Sequence, residues 1–392
     1  MKMSQDTKLL VNLFLPFYLI HCTAHVYLTY GSLLQRYGFS HEATGWILSI
    51  YFLAAMASRP LAGWLIENLG FQKVLIWSGI ASFIGCSLLF LFRESAEMLF
   101  IGRAIGGASF AIYATALFSY QSLCVPENKR GGMLSLLVVG GILTMATVTP
   151  LGEWFLINSQ YSLYLAIGPI LSLVCCILGS RVGAAETEET RASAVKPKSW
   201  GTYGGLFSSR PFLFLLITAT LMSLTDTFII NISLLAAEKG LAASYFLTSS
   251  AVVAVFLRIF GSKLMNEAPR VALLAPCAIL MAVSTIMIAL FPTNGMFVLG
   301  GIIFGIGIGA GWPMFHALIA DFLSPALRPK GTSTALLFYD GGFFVGPLIA
   351  GYFMPHFGTA GTLMAIAIAT GTSLLLLEIF YWLPFYRKAE KC

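Results

Sequence analysis

Apolar residues in this chain come in long unbroken runs, with little helical striping or strand alternation. A run of about 20 such residues crosses a hydrocarbon core about 30 Å thick. Twelve can be traced, at 9–34, 43–66, 72–92, 97–121, 132–154, 161–180, 211–236, 244–264, 270–291, 295–320, 332–354 and 359–383. Most joints between them are short, which makes consecutive helices antiparallel neighbours. Arg181 to Arg210 is the exception, with Glu186, Glu188 and Glu189 followed by Lys196-Pro197-Lys198. It is too polar to span and reads as a linker. The expected organisation is an N-terminal six-helix half at 1–180, a cytoplasmic linker at 181–210 and a C-terminal six-helix half at 211–392. Open sheets cannot satisfy their backbone in lipid, so the expected class is an all-α integral membrane protein with twelve transmembrane helices.

The halves echo each other. Arg59 maps onto Arg258, Leu65 onto Leu264 and Pro126 onto Pro325, with Gly131 nearly onto Gly331, after which the register slips. Pseudo-symmetric halves with a ligand site between them are a common plan for secondary carriers, and neither a channel nor a membrane enzyme needs the duplication.

Composition agrees with the apolar pattern. Hydrophobic residues make up 58% of the chain and charged ones 10%, against about 25% charged in soluble domains. The net charge of +6 is explained by position. With the N-terminus inside, basic residues such as Lys8, Lys73, Lys129, Arg130, Lys196, Lys198, Arg270, Lys330 and Arg387 fall on the cytoplasmic side, and only Arg36, Arg93, Arg103 and Lys239 fall outside or at outer helix ends. That asymmetry orients the chain with both termini cytoplasmic, and it removes the argument for a nucleic-acid partner; the expected location is the inner (plasma) membrane. The seven cysteines (Cys22, Cys86, Cys124, Cys175, Cys176, Cys277, Cys392) lack metal-ligand spacing and read as buried thiols. Met1 to Lys8 is a short polar lead into the first span, without a cleavable signal pattern. The glycines of Gly300 to Gly311 read as close helix packing, and no Gly-x-x-x-x-Gly-Lys phosphate loop occurs. Neither enzymatic chemistry, a cofactor nor a metal is expected.

The most informative joint is Ser58 to Lys73, a charged elbow between two apolar runs. Gly63-Trp-Leu65-Ile-Glu67-Asn68-Leu-Gly70-Phe-Gln-Lys73 is similar to the loop between helices 2 and 3 of the major facilitator superfamily, Gly-x-Leu-Ala-Asp-Arg-x-Gly-Arg-Arg-Lys. It departs at Glu67, at Asn68 and at Phe71-Gln72, where the family has a basic pair. Arg103-Ala-Ile-Gly-Gly107 resembles the Arg-x-x-x-Gly signature of helix 4. Gly141 through Thr149-Pro150-Leu-Gly152 loosely resembles the helix 5 signature of the antiporter branch, and Gly342-Phe-Phe-Val-Gly346-Pro347-Leu-Ile-Ala-Gly351 is a closer copy in helix 11. Within the family the resemblance is nearest to bacterial proton-driven exporters of drugs and small metabolites. It implies helices 1, 4, 7 and 10 around a central cavity, and a gating role for Arg59, Gly63, Glu67, Gly70 and Lys73, with Arg258 as the echo of Arg59 in the second half.

An ionisable group inside the bilayer costs about 2.5–3.5 kcal/mol on insertion scales, so each one is a candidate functional residue. Asp226 lies about midway through the seventh run, with Ser223, Thr227 and Asn231 on roughly the same side. It reads either as a proton- or substrate-binding carboxylate or as an interhelical hydrogen bond. Asp340, beside Tyr339 and before Gly341-Gly342, reads as a proton site or as a contact of the inner gate. His21 and His25 are one helical turn apart, which fits a proton relay or two hydrogen-bonded cavity residues; two ligands alone make a poor metal site. His316 follows Trp312-Pro313. For Arg103 the resemblance implies proton coupling or orientation of an anionic group, and the bland reading is an arginine snorkelling outward.

These residues lead to the expectation of a monomeric secondary transporter with a small-molecule substrate, protons as coupling ion and the lipid bilayer as its setting. It would export a small polar or amphiphilic solute by alternating access. Proton symport importing a sugar or an organic anion, and lipid flipping, are the alternatives.

Overall fold

The computed structural model describes residues 5–124, 137–183, 203–260, 269–324 and 327–389. Among these, nine helices are long and apolar enough to cross a membrane. The last of them, Gly331–Lys388, is broken at Gly358, where φ is 69°. Ser244–Phe260 adds a shorter apolar helix, and a kinked rod over 5–36 leads the chain. This matches the all-helical architecture expected and is consistent with twelve spans. The middle of the expected linker, 184–202, lies outside the described residues, and its last part holds a short helix, Tyr203–Phe207.

Several spans are interrupted, and hydroxyl side chains sit at the interruptions. The first span is Gln5–His25, a tight turn over Val26–Thr29, then Tyr30–Arg36. The fifth, Leu137–Ile157, is broken by a tight turn at Thr144–Ala146. The seventh, Arg210–Glu238, is interrupted at Thr227. Thr144 Oγ1 donates to the Gly141 carbonyl at 2.6 Å, and Thr227 Oγ1 to the Leu224 carbonyl at 2.7 Å. Such back-bonding competes with the helical ladder and bends it.

The chain divides into two compact units. One is Met1–Phe39 with Trp46–Lys196, and the other is Ser40–Gly45 with Pro197–Cys392. In the first unit, Leu13, Phe17, Phe71, Leu75, Tyr113 and Tyr120 belong to one buried cluster. Lipid tails are as apolar as such a core, so helices in a membrane associate largely by close packing of small residues. A methyl group on Gly107 of the fourth span would overlap the Tyr51 carbonyl of the second. In the second unit, Gly305 and Gly309 lie against Ser250 and Ala254 of Ser244–Phe260, and Gly307 lies against Cys277 and Met281 of Arg270–Leu290. The glycine-rich tenth span therefore packs closely on two sides.

The elbow is more helical than its polarity predicts. His41–Leu69 runs through Arg59, Pro60 and Gly63, and the chain turns at the single residue Gly70, with φ 79° and ψ 160°, before Phe71–Leu91 begins. Only glycine takes that conformation without strain. Gly63 is not a close-approach glycine: beyond its own turn of helix, no described atom comes within 4 Å of a methyl group placed on it. Phe71, where the family has a basic residue, is 1% exposed and packs on Tyr120, while Gln72 donates to the Ser180 carbonyl at 2.9 Å. Lys73 is exposed, and the Glu67 side chain lies outside the described residues.

Candidate functional site

Each unit holds buried polar groups where its first span bends. In the second unit the group is built around Asp226, at the end of Arg210–Asp226. Tyr339 of the eleventh span donates its hydroxyl to Asp226 Oδ2 at 2.5 Å, and Ser223 donates to the Tyr339 backbone carbonyl. Asp226 and Tyr339 are both buried. Two glycines of the helix 11 signature allow the approach: Gly342 lies against Ser223, and a methyl on Gly346 would come within 2.5 Å of Thr227 Oγ1. Arg258 of the eighth span lies within electrostatic reach of both Tyr339 and Asp226, and its Nε is buried without a hydrogen-bond partner. Arg258, aligned by sequence offset with an elbow residue, is thus held next to the intramembrane acid by its own span. Arg270, further along the same joint, pairs with Asp321 at 3.2 Å.

Aromatic rings wall the Tyr339 side. Trp312 lies 4.6 Å from the Tyr339 ring and 4.5 Å from His316, and Phe343 lies 5.6 Å from Tyr339. His316 therefore reaches the Asp226 group through Trp312. Asp340 is half-buried and acts electrostatically on Tyr339. Behind Asp226, Thr225, Thr227, Asn231, Thr285 and Leu363 line a small cavity.

In the first unit the structure brings His21 and His25 together, with ring centroids 5.9 Å apart. His21 Nδ1 pairs with the Phe17 carbonyl at 2.8 Å, and His25 Nδ1 with Thr144 Oγ1. Thr149 donates to the His25 carbonyl at 2.9 Å, and the Tyr18 and Thr147 hydroxyls pair at 2.7 Å. A polar ladder thus ties the first span to the broken fifth. Arg59 lies within electrostatic reach of His21.

Arg103 occupies a second group in this unit. It is 5% exposed, so the snorkelling reading does not describe it. Its guanidinium lies 4.4 Å from the centroid of the Tyr51 ring, its Nε donates a long 3.4 Å bond to the Ile47 carbonyl, and Tyr30, Tyr164 and Tyr27 complete its electrostatic surroundings. The Tyr30 hydroxyl is buried and has no hydrogen-bond partner. A small cavity beside the arginine is lined by Thr23, Tyr27, Tyr51, Ser82 and Cys86. Phe110 stands between the two groups, 4.9 Å from His21 and 6.0 Å from Tyr51. Sequence reasoning missed the tyrosines, since a tyrosine in an apolar run carries no charge to mark it. It also missed Glu153, which is 7% exposed although it stands at the end of its apolar run, where an acid draws little notice.

An all-helical fold with this many apolar spans, and with buried charges on the bent ones, defines a polytopic membrane protein. The chain belongs to the Major Facilitator Superfamily, whose model matches residues 13–274 and 219–391. It is 25% identical over 367 residues to a "Probable sugar efflux transporter" of Mannheimia succiniciproducens, covering 88% of this chain and 86% of that one. It is 24% identical over 313 residues to the "Staphylopine export protein" of Staphylococcus aureus, covering 76% of each. Among solved structures, a nucleoside transporter superposes with a TM-score of 0.74 at 16% identity, over 95% of this chain and 98% of that one. At that identity the likeness concerns the fold alone.

Proposed function

We propose that this transporter exports a small polar or amphiphilic solute across the inner (plasma) membrane, as a monomer with both termini cytoplasmic, driven by protons moving in. The observation that carries this reading is Asp226, a buried acid bonded to Tyr339 and within reach of Arg258. An acid that exchanges a proton for the field of a nearby cation is what coupling of proton and solute requires. His21 and His25 are assigned to the proton path or the cavity wall, with His316 and Asp340 lining the second unit's side. Arg103 is assigned to coupling or to an anionic group of the solute. Export is supported by the names of the efflux and export relatives.

In the same proposal Arg59, Gly63, Glu67, Gly70 and Lys73 form the cytoplasmic hinge, with 1–180 and 211–392 as its two moving halves. The hinge favours the outward-open state, so Glu67→Ala increases inward-open accessibility of introduced cysteines.

The test is transport into proteoliposomes with an imposed pH gradient, using sugars, staphylopine and cationic dyes as probes. Gradient-driven movement of one probe class opposite to the proton is expected. Transport indifferent to the gradient removes proton coupling, and movement in the same direction as the proton replaces export with symport.

A further inference from the structure

The last span contains an acid outside the groups described above. Glu378 is 5% exposed, and neither carboxyl oxygen has a hydrogen-bond partner among the described residues. It opens a π-helical turn, Glu378–Trp382, closed by the Leu383 N–H donating to the Glu378 carbonyl. One-turn π-segments cost backbone geometry and recur at functional positions. This one turns Trp382 inward, where its Nε1 donates to Thr218 Oγ1 at 3.0 Å, and lays Tyr381 on Phe214 with centroids 3.5 Å apart. The acid is thereby held among packed helices.

Among the described residues, the neighbouring elements place no basic side chain in hydrogen-bond contact with it. Arg270–Leu290, packed against the turn, carries Arg270, which is paired with Asp321, and the Cys277 thiol. Arg210–Asp226 carries Arg210, which acts on Tyr381, and Asp226, which is bonded to Tyr339. Asn294–Phe322, whose Phe322 stacks on Trp382, carries Asp321, which is paired with Arg270, and His316, which lies against Trp312. Arg387 and Lys388 of the same rod are exposed, and Tyr339 and Asp340 belong to the Asp226 group. None of these is hydrogen-bonded to Glu378. A carboxylate in this position is an uncompensated charge in an apolar setting, which the protein avoids by binding a cation, and the smallest that needs no further ligands is the proton.

We propose that Glu378 is a proton-binding site of this transporter, separate from Asp226, and that loss of its proton loosens the last span where the π-turn packs on Arg210–Asp226 and Arg270–Leu290. The proposal is independent of the cargo and direction proposed above. A proton site on the last span gives the second unit a pH-sensitive packing contact away from its bent seventh span.

Infrared spectroscopy of the purified protein tests it through the carbonyl stretch of a protonated carboxylic acid, followed as pH is raised. Intensity in this band should fall on raising pH in the wild type; Glu378→Gln should lack the Glu378 component while keeping that of Asp226, and Asp226→Asn should keep the Glu378 component. The thermal unfolding temperature of the wild type should fall as pH rises from the ordinary carboxylate range up to the point where the Glu378 component disappears, because there the unfolded chain has released the proton that the folded one still holds, and Glu378→Gln should flatten that fall. If Glu378→Gln does not fold, Glu378→Asp should still show the band at a shifted frequency. A band unchanged in the glutamine variant, one unshifted in the aspartate variant, or no band in the wild type overturns the proposal. Loss of gradient-driven transport without these changes bears on the transport reading alone.

Discussion

The Tyr339 hydroxyl donates to Asp226 at 2.5 Å, so the acid of the seventh span is held by a side chain of the eleventh. A hydrogen bond to a charged group is worth about 1.5–3 kcal/mol, and a buried carboxylate stripped of its donor costs at least as much. Tyr339→Phe should therefore lower thermal stability by about 1–3 kcal/mol and slow coupled transport. Asp226→Asn keeps a partner for the tyrosine, so the variant should remain monodisperse while pH-gradient-driven transport is lost. Normal gradient-driven transport by Asp226→Asn in proteoliposomes would remove the acid from the coupling path.

Arg103 depends on its shape as well as its charge. Its guanidinium lies on the Tyr51 ring and its Nε reaches the Ile47 carbonyl. A lysine ammonium is a compact point charge without the flat face, and cation–π contacts of this kind are worth about 0.5–2 kcal/mol. Arg103→Lys should lower transport by about tenfold, equivalent to about 1.4 kcal/mol in the barrier. Tyr51→Phe keeps the ring under the guanidinium and should retain most activity. Matched transport assays of the two variants check this, and full activity of Arg103→Lys would reduce the site to a charge requirement.

The signature glycines divide by what surrounds them. Gly107 has the Tyr51 carbonyl where a methyl group would stand, whereas Gly63, beyond its own turn of helix, has no described atom within 4 Å of that point. Overpacking of a rigid backbone contact costs about 1–3 kcal/mol or more. Gly107→Ala should lower the unfolding temperature and the yield of monodisperse protein. Gly63→Ala, in an open helical position, should leave stability unchanged or raise it by about 0.5–1 kcal/mol. Thermal unfolding in detergent distinguishes the two, and equal destabilisation would contradict the packing described.

The spans were legible because lipid imposes one rule on every segment that crosses it, and runs such as 211–236 and 270–291 state that rule in composition alone. The interruptions were not legible. A threonine such as Thr144 or Thr227 either faces a neighbour or bonds its own preceding turn, and spacing does not distinguish the two. The elbow's length was misjudged for a related reason: Arg59 and Glu67 are polar, but polarity at the end of a membrane helix does not end the helix, and the turn needed only Gly70. Individual candidates such as Asp226, His21 and Arg103 stood out as charges in apolar runs. Their partners, Tyr339, Thr144 and Tyr51, come from other spans and depend on helix rotation and depth, which one sequence does not encode openly.

Arg59 and Arg258 hold equivalent places in the two halves, and each acts on a titratable group of its own unit's first span, His21 in one and Asp226 in the other. If Arg258 works on Asp226 through charge, a lysine should substitute where a glutamine does not. Arg258→Gln should lower pH-gradient-driven transport by about tenfold, with Arg258→Lys recovering most of it. Solute counterflow without a gradient, which requires no net proton movement, should persist in both variants. The buried Nε without a hydrogen-bond partner favours a field effect over a specific hydrogen bond, because a geometric role would have engaged that donor. Arg59→Gln should leave the Asp226-dependent step intact and alter only the behaviour that His21→Gln also alters. Parallel gradient-driven and counterflow assays on the single and double variants check both arms. Additive losses in Arg258→Gln/Asp226→Asn would show that the two residues act independently.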